Sequence, residues 1–128
     1  MLWITQTADE MDCINITRGD DAGLPVDLYN GDQPYVMGEN EYLIFGAREL
    51  PDTSLPLLLQ ITSEPGSNVI VFTHADTADM DVGEYSADIQ LMTAAGRRVT
   101  VWPVPPDKKR STQKSWKNFA VTPEVVDE

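Results

Sequence analysis

The residues able to do chemistry are few, and they are scattered. His74 is the single histidine and Cys13 the single cysteine of the chain. A general base needs a nucleophile and an orienting group beside it. The sequence has no Gly-x-Ser-x-Gly, His-Glu-x-x-His, P-loop or Gly-x-Gly-x-x-Gly run to provide them. His74 therefore reads as a structural or surface histidine, and Cys13, inside an alternating run, as a small buried hydrophobe. One cysteine forms no intrachain disulfide and excludes four-cysteine zinc sites. Asp76, Asp79, Asp81 and Glu84 invite a calcium reading, because hard cations collect carboxylate oxygens. Their spacing lacks the alternating acids and sixth-position glycine of an EF-hand loop, so they read as a capping aspartate, a solvated turn and strand-flanking charge. Arg18-Gly19-Asp20 spells the tripeptide read by integrins, but between two apolar runs it reads as a turn in which Gly19 supplies backbone freedom. The residues predict no enzyme, no cofactor and no metal site.

Charge says more about partners. The 128 residues hold 9 basic and 21 acidic side chains, for a net charge of −12. That acidity argues against whole-surface nucleic-acid binding and against docking on anionic membranes. One segment reverses it. Asp107 to Lys117 carries Lys108, Lys109, Arg110, Lys114 and Lys117 against one acid, a net +4, whereas residues 1–106 sum to −13. With Trp116 interleaved, the segment has parts that could stack on nucleic acid, yet on this protein it would first attract acidic faces of its own chain or of a neighbour. It is read as an exposed loop, with protein contact ahead of nucleic acid. No run of 18 apolar residues exists, and the start, Met1-Leu-Trp-Ile-Thr-Gln-Thr, has no basic n-region, so folding in a cytoplasm is expected.

These residues must be positioned by strands. At 41% hydrophobic and 23% charged the composition is that of one globular domain, and 9 prolines and 8 glycines cut the chain into short runs. Apolar and polar residues alternate within the runs, the period of half-buried strands. The clearest is Glu84 to Met92, with Tyr85, Ala87, Ile89 and Leu91 on one face. A turn at Ala94-Ala95-Gly96-Arg97 and a second run, Arg98 to Val104, complete a hairpin. Further strands are predicted at Met11 to Thr17, Ala22 to Tyr29, Tyr42 to Arg48, Leu57 to Thr62, Asn68 to Thr73 and Asn118 to Thr122, with a helical turn at Ala75 to Met80 that Asp76 could cap. The core is expected from Ile14, Ile16, Leu24, Val26, Tyr85, Ile89, Leu91, Phe119 and Val121. Alternation places Trp102 opposite Val99 and Val101, hence exposed, as interface aromatics often are. Many short strands with frequent turns predict an all-β sandwich or small barrel.

A succession of short motifs narrows this further. Ile16-Thr17-Arg18-Gly19-Asp20 precedes the alternating Leu24-Pro25-Val26-Asp27-Leu28; Gly38-Glu39-Asn40 precedes Tyr42-Leu43-Ile44-Phe45. Asp81-Val82-Gly83-Glu84-Tyr85 leads into the hairpin, and Phe119-Ala120-Val121-Thr122-Pro123-Glu124 closes the chain. In order and spacing this resembles the immunoglobulin-like domain of phage and prophage tail and baseplate proteins of Gram-positive bacteria, as at the N-terminus of the baseplate upper protein. The resemblance covers about residues 11–126, with the basic loop 107–117 as an insertion before the last strand. It implies an immunoglobulin-like β-sandwich of seven to eight strands in one domain, 1–128, and it implies a structural role for the Arg-Gly-Asp turn. Asp81-x-Gly83-x-Tyr85 is also similar to the corner before strand F of immunoglobulin domains, where a tyrosine hydroxyl bonds back to the backbone. The plainer alternative is a turn glycine followed by an ordinary core aromatic.

The functional expectation is a non-enzymatic structural or attachment module of a virion, made in the host bacterial cytoplasm. It would contact itself, as a homo-oligomer, or other virion proteins, with Trp102, Lys108, Lys109, Arg110, Lys114, Trp116 and Lys117 as the candidate interface. The alternative is a carbohydrate or cell-surface binding module using Tyr29, Tyr35 or Trp102; a phage accessory enzyme has no motif behind it.

Overall fold

Alternating apolar residues build the long strands, and prolines and glycines decide where the chain changes sheet. The computed structural model describes residues 2–4, 14–30, 33–50, 54–102 and 117–123. In chain order these form β1 (Leu2–Ile4), β2 (Ile14–Thr17), β3 (Ala22–Pro25), β4 (Leu28–Asn30), β5 (Gln33–Pro34), β6 (Tyr42–Arg48), β7 (Leu59–Thr62), β8 (Val69–Phe72), a helical turn α1 (His74–Thr77), β9 (Gly83–Met92), β10 (Arg98–Trp102) and β11 (Phe119–Thr122). The protein is an all-β sandwich. Its main sheet runs β2-β11-β9-β6-β7, with β10 also on β9; β3 pairs with β8 in a second layer, and β1-β4-β5 make a small third sheet. The pairings are antiparallel except that of β2 with β11.

The predicted strand Ala22 to Tyr29 is two strands serving two sheets. Pro25, with no N–H to donate, ends β3 opposite Val69, and β4 then joins β1 and β5. Between them Val26 donates to the Asn68 carbonyl at 2.8 Å and the Asn68 side chain donates back to the Val26 carbonyl at 2.9 Å. The predicted helical turn is shorter and starts earlier. Thr73 is its N-cap, and Asp76, at the third helical position, accepts the Thr73 N–H at 2.6 Å.

The core forms where the alternation points. Leu43, Phe45 and Ala47 of β6 and Tyr85, Ala87, Ile89 and Leu91 of β9 face Ile70 and Phe72 of β8. Phe45 meets Phe72 and Phe119 edge-on, at centroid distances of 5.3 and 5.1 Å. Of the residues expected in the core all are buried except Leu24, which packs against it half-buried.

Trp102 departs from the alternation, and its expected exposure is corrected. Thr100 lies opposite Gln90 but Trp102 lies opposite Ile89, so one extra residue, Val101, is accommodated by a bulge. Both Val101 and Trp102 turn inward, and Trp102 is 1% exposed. It is a core residue, unavailable to a partner.

Leu91 lies wholly inside the sandwich, so Leu91→Ala is expected to cost about 2–5 kcal/mol, read as a lowered midpoint in urea titration.

Candidate interaction surface

Of the side chains singled out for chemistry, His74 is brought against the Arg18-Gly19-Asp20 turn, and the structure uses it as a fastening. The segment Thr17 to Asp20 is a tight turn closed by the Asp20 N–H on the Thr17 carbonyl at 3.0 Å, with Gly19 at φ +82. A side chain there would be strained and would press on the His74 ring at 3.3 Å. The turn is locked to α1: Gly19 N–H donates to Thr77 Oγ1 at 2.8 Å, and its carbonyl lies 2.7 Å from His74 Nδ1. Asp21 accepts the His74 backbone N–H at 2.7 Å. His74, Asp21 and the Arg18-Gly19-Asp20 turn thus stitch the start of the main sheet to the β8–β9 connection. Among the described residues no group of three His, Cys, Asp or Glu side chains gathers to hold a metal ion.

Tyr85 resolves in favour of the corner. Its hydroxyl donates to the Asp81 carbonyl, pinning the chain as it enters β9. Burial, then the nearby Asp81 and Glu49 carboxylates, push its phenol above the ordinary tyrosine value.

A second fastening was not legible as a site in the sequence. Glu41 is buried just before β6, and its carboxylate accepts the Tyr35 hydroxyl at 2.7 and 2.8 Å, the Gly38 N–H at 3.0 Å and the Ala94 N–H at 3.4 Å. Its own carbonyl accepts the Gly66 N–H at 2.7 Å. One residue therefore ties together the loop before β6, the β7–β8 turn and the β9–β10 hairpin. Burial alone would raise the Glu41 carboxyl, but the bonds from Gly38, Tyr35 and Ala94 outweigh it and hold it below the ordinary carboxylate value. The Tyr35 phenol is raised in turn, first by that hydrogen bond and then by burial and the carboxylate's charge.

The strands on either side of the basic segment in sequence share one partner. β10 and β11 both pair with the same edge of β9, β10 at its C-terminal half and β11 at its N-terminal half. They act as two halves of one strand, interrupted between Trp102 and Lys117. Lys108, Lys109, Arg110, Lys114 and Trp116 lie outside the described residues, as does Cys13. Lys117 stands at the re-entry point, its ammonium on the carbonyls of Glu49 at 3.0 Å and Glu84 at 3.2 Å. It anchors the segment's end.

Asn118 repairs the interruption. Buried beside it, its side-chain oxygen accepts the Ala87 N–H at 2.7 Å, and its amide donates to the Ala87 carbonyl at 2.9 Å. A carboxamide offers one acceptor and two donors, so Asn118 stands in for the backbone of a missing strand residue.

The aromatic candidates separate. Trp102 is in the core, whereas Tyr29 and Tyr35, both half-buried, line one open hollow of about 390 Å3 with Asp27, Pro34, Val36 and Asn68. The Tyr35 hydroxyl is committed to Glu41.

A scan against protein-family models and a search of curated proteins return no match.

Two outcomes follow. Because folding lowers the Glu41 value, its contribution is complete above the ordinary carboxylate range and is lost as pH falls through the lowered value. Glu41→Gln should cost about 1–3 kcal/mol at neutral pH and flatten the acid limb of stability, measured by urea titration from neutral to acid pH. Asn118→Leu strands the buried Ala87 backbone groups and should cost a similar amount, about 1–3 kcal/mol, by the same titration at neutral pH.

Proposed function

We propose that the chain is a non-enzymatic structural or attachment module of a phage or prophage tail or baseplate, working through protein–protein contacts. The observation that carries the contact reading is the interrupted last strand. A sandwich gains ladder hydrogen bonds from an unbroken strand, yet here β10 and β11 leave Ala87 of β9 between them, and the Asn118 side chain patches it. The sequence so inserted holds the chain's concentration of positive charge. The fastening roles of His74, Asp21 and the Arg18-Gly19-Asp20 turn fit a scaffold. The tail setting is supported by the motif succession from Ile16 to Glu124 and its resemblance to the immunoglobulin-like modules of tail and baseplate proteins.

Mechanistically, a positive segment on an acidic body orients an approaching acidic partner, another virion protein or a second copy, and speeds encounter. Such contacts weaken with salt, since the screening length is about 8 Å at physiological ionic strength. Carbohydrate or cell-surface binding is the second reading, favoured by one observation: Tyr29 and Tyr35 share a hollow with Asp27 and Asn68.

An antibody against the chain should label purified tail particles of the phage or prophage encoding it, and particles free of the chain would overturn the tail assignment. The variant K108E/K109E/R110E should fold as the wild type does, by circular dichroism, and be depleted from those particles. Undiminished incorporation would remove the segment's role.

A further inference from the structure

The flank formed by β7 and β8 differs from the rest of the surface. β7 ends the main sheet, and among the described residues neither β7 nor β8 has a strand on its far side. The turn Glu64–Ser67, closed by the Ser67 N–H on the Glu64 carbonyl at 2.9 Å, carries the chain across the sandwich between them, so both edges lie on one flank. Glu64 is the sole charged residue from Ser54 to Thr73, in a chain that is 23% charged. Leu57, Leu58 and Val71 stand 42%, 46% and 54% exposed there.

Natural sheet edges are guarded against pairing by charge, proline or bulges. The edges of β2 and β3 are guarded. β2 runs into Arg18, Asp20 and Asp21, and β3 ends at Pro25 between Asp20, Asp21 and Asp27. Leu59–Thr62 has neither charge nor proline. Its outward backbone groups follow from the register. Ser63 donates to the Leu43 carbonyl at 2.8 Å, and Phe45 faces Ile61 while Gly46 faces Gln60 and Ile44 faces Thr62. Bonded and non-bonded pairs alternate in an antiparallel ladder, so Gln60 and Thr62 turn their N–H and C=O groups away from β6.

The geometry points to this edge as a two-fold interface between two copies of the chain, β7 pairing antiparallel with its counterpart about an axis at Ile61. Gln60 of each copy then faces Thr62 of the other, and each such pair exchanges both backbone hydrogen bonds. Charge selects a second copy as the occupant. Two bodies at −12 repel wherever their carboxylates oppose, and the uncharged flank is where they meet without that opposition. Ile61, at the axis, extends the core face of one sheet into the next. The inference deepens the contact-module reading, on which it rests, by naming a partner for one flank.

The test is sedimentation of the full chain over a concentration series at physiological salt, with circular dichroism to confirm folding. The wild type should dimerise. Q60K/T62K places like charges opposite one another at both pairs and should weaken the dimer roughly tenfold or more. It also lowers the net negative charge, so global repulsion alone would change affinity the other way. Q60K/T62E, with the wild-type net charge, sets opposite charges across the axis and should restore dimerisation. T62P removes an outward N–H without touching the β6 ladder and should give a folded monomer. A wild type that stays monomeric throughout overturns the pairing, as does a Q60K/T62E variant no tighter than Q60K/T62K. Tail particles that contain a monomeric chain would overturn this interface alone, whereas particles lacking a dimeric chain would overturn the tail reading alone.

Discussion

β9 needs hydrogen-bonding partners along both edges, and much of the architecture follows from how that need is met. On one side β6 pairs with it from Ser86 to Met92. On the other the partner is broken in two, β10 covering Ile89 to Met92 and β11 covering Gly83 to Tyr85. Ala87 lies in the gap, buried, where unpaired backbone groups are costly. The Asn118 carboxamide fills it. Once that position is satisfied, β11 is held in register, β2 can add to it in parallel, and Phe119 is delivered to the Phe45–Phe72 cluster. A break in the strand is thereby made compatible with a closed core.

The same economy governs the ends of the sandwich. Backbone groups left over where strands stop are taken by side chains: Tyr85 on the Asp81 carbonyl, Asn68 on the Val26 carbonyl, Ser63 on the Leu43 N–H at 2.9 Å, Glu41 on the Gly38 and Ala94 N–H groups. His74, which a search for chemistry singles out, is used in the same way, its ring nitrogen against the Gly19 carbonyl. The hydrogen bonds of these side chains are spent on closure.

Much of the fold was legible because half-buried strands write their orientation into the chain. Tyr85, Ile89 and Leu91, or Ile14 and Ile16, read inward from spacing alone and lie inward in the structure. The corner tyrosine was visible from Asp81-x-Gly83-x-Tyr85, since a local motif acts over a few residues. Glu41 gave no such sign. Its partners are three separate connections, and nothing near it in sequence marks it as buried. Asn118 was equally silent: it reads as the first residue of the predicted strand Asn118 to Thr122 until the missing partner of Ala87 is seen.

Composition and period by themselves determined an all-β chain, most of its strands, part of its core and a positive segment ahead of the last strand, because those depend on local alternation and on charge counted along the chain. The tertiary structure decided what depends on a partner. Trp102 is exposed by alternation and buried in fact, because the bulge at Val101 is set by the register of β10 on β9. Pro25 separates two strands because β8 and β1 lie in different sheets. The Leu59–Thr62 run is unremarkable as sequence, and it becomes an edge only because β6, already paired with β9, leaves it last in the sheet. Register and edge position are properties of pairs of strands, and a single strand's residues do not contain them.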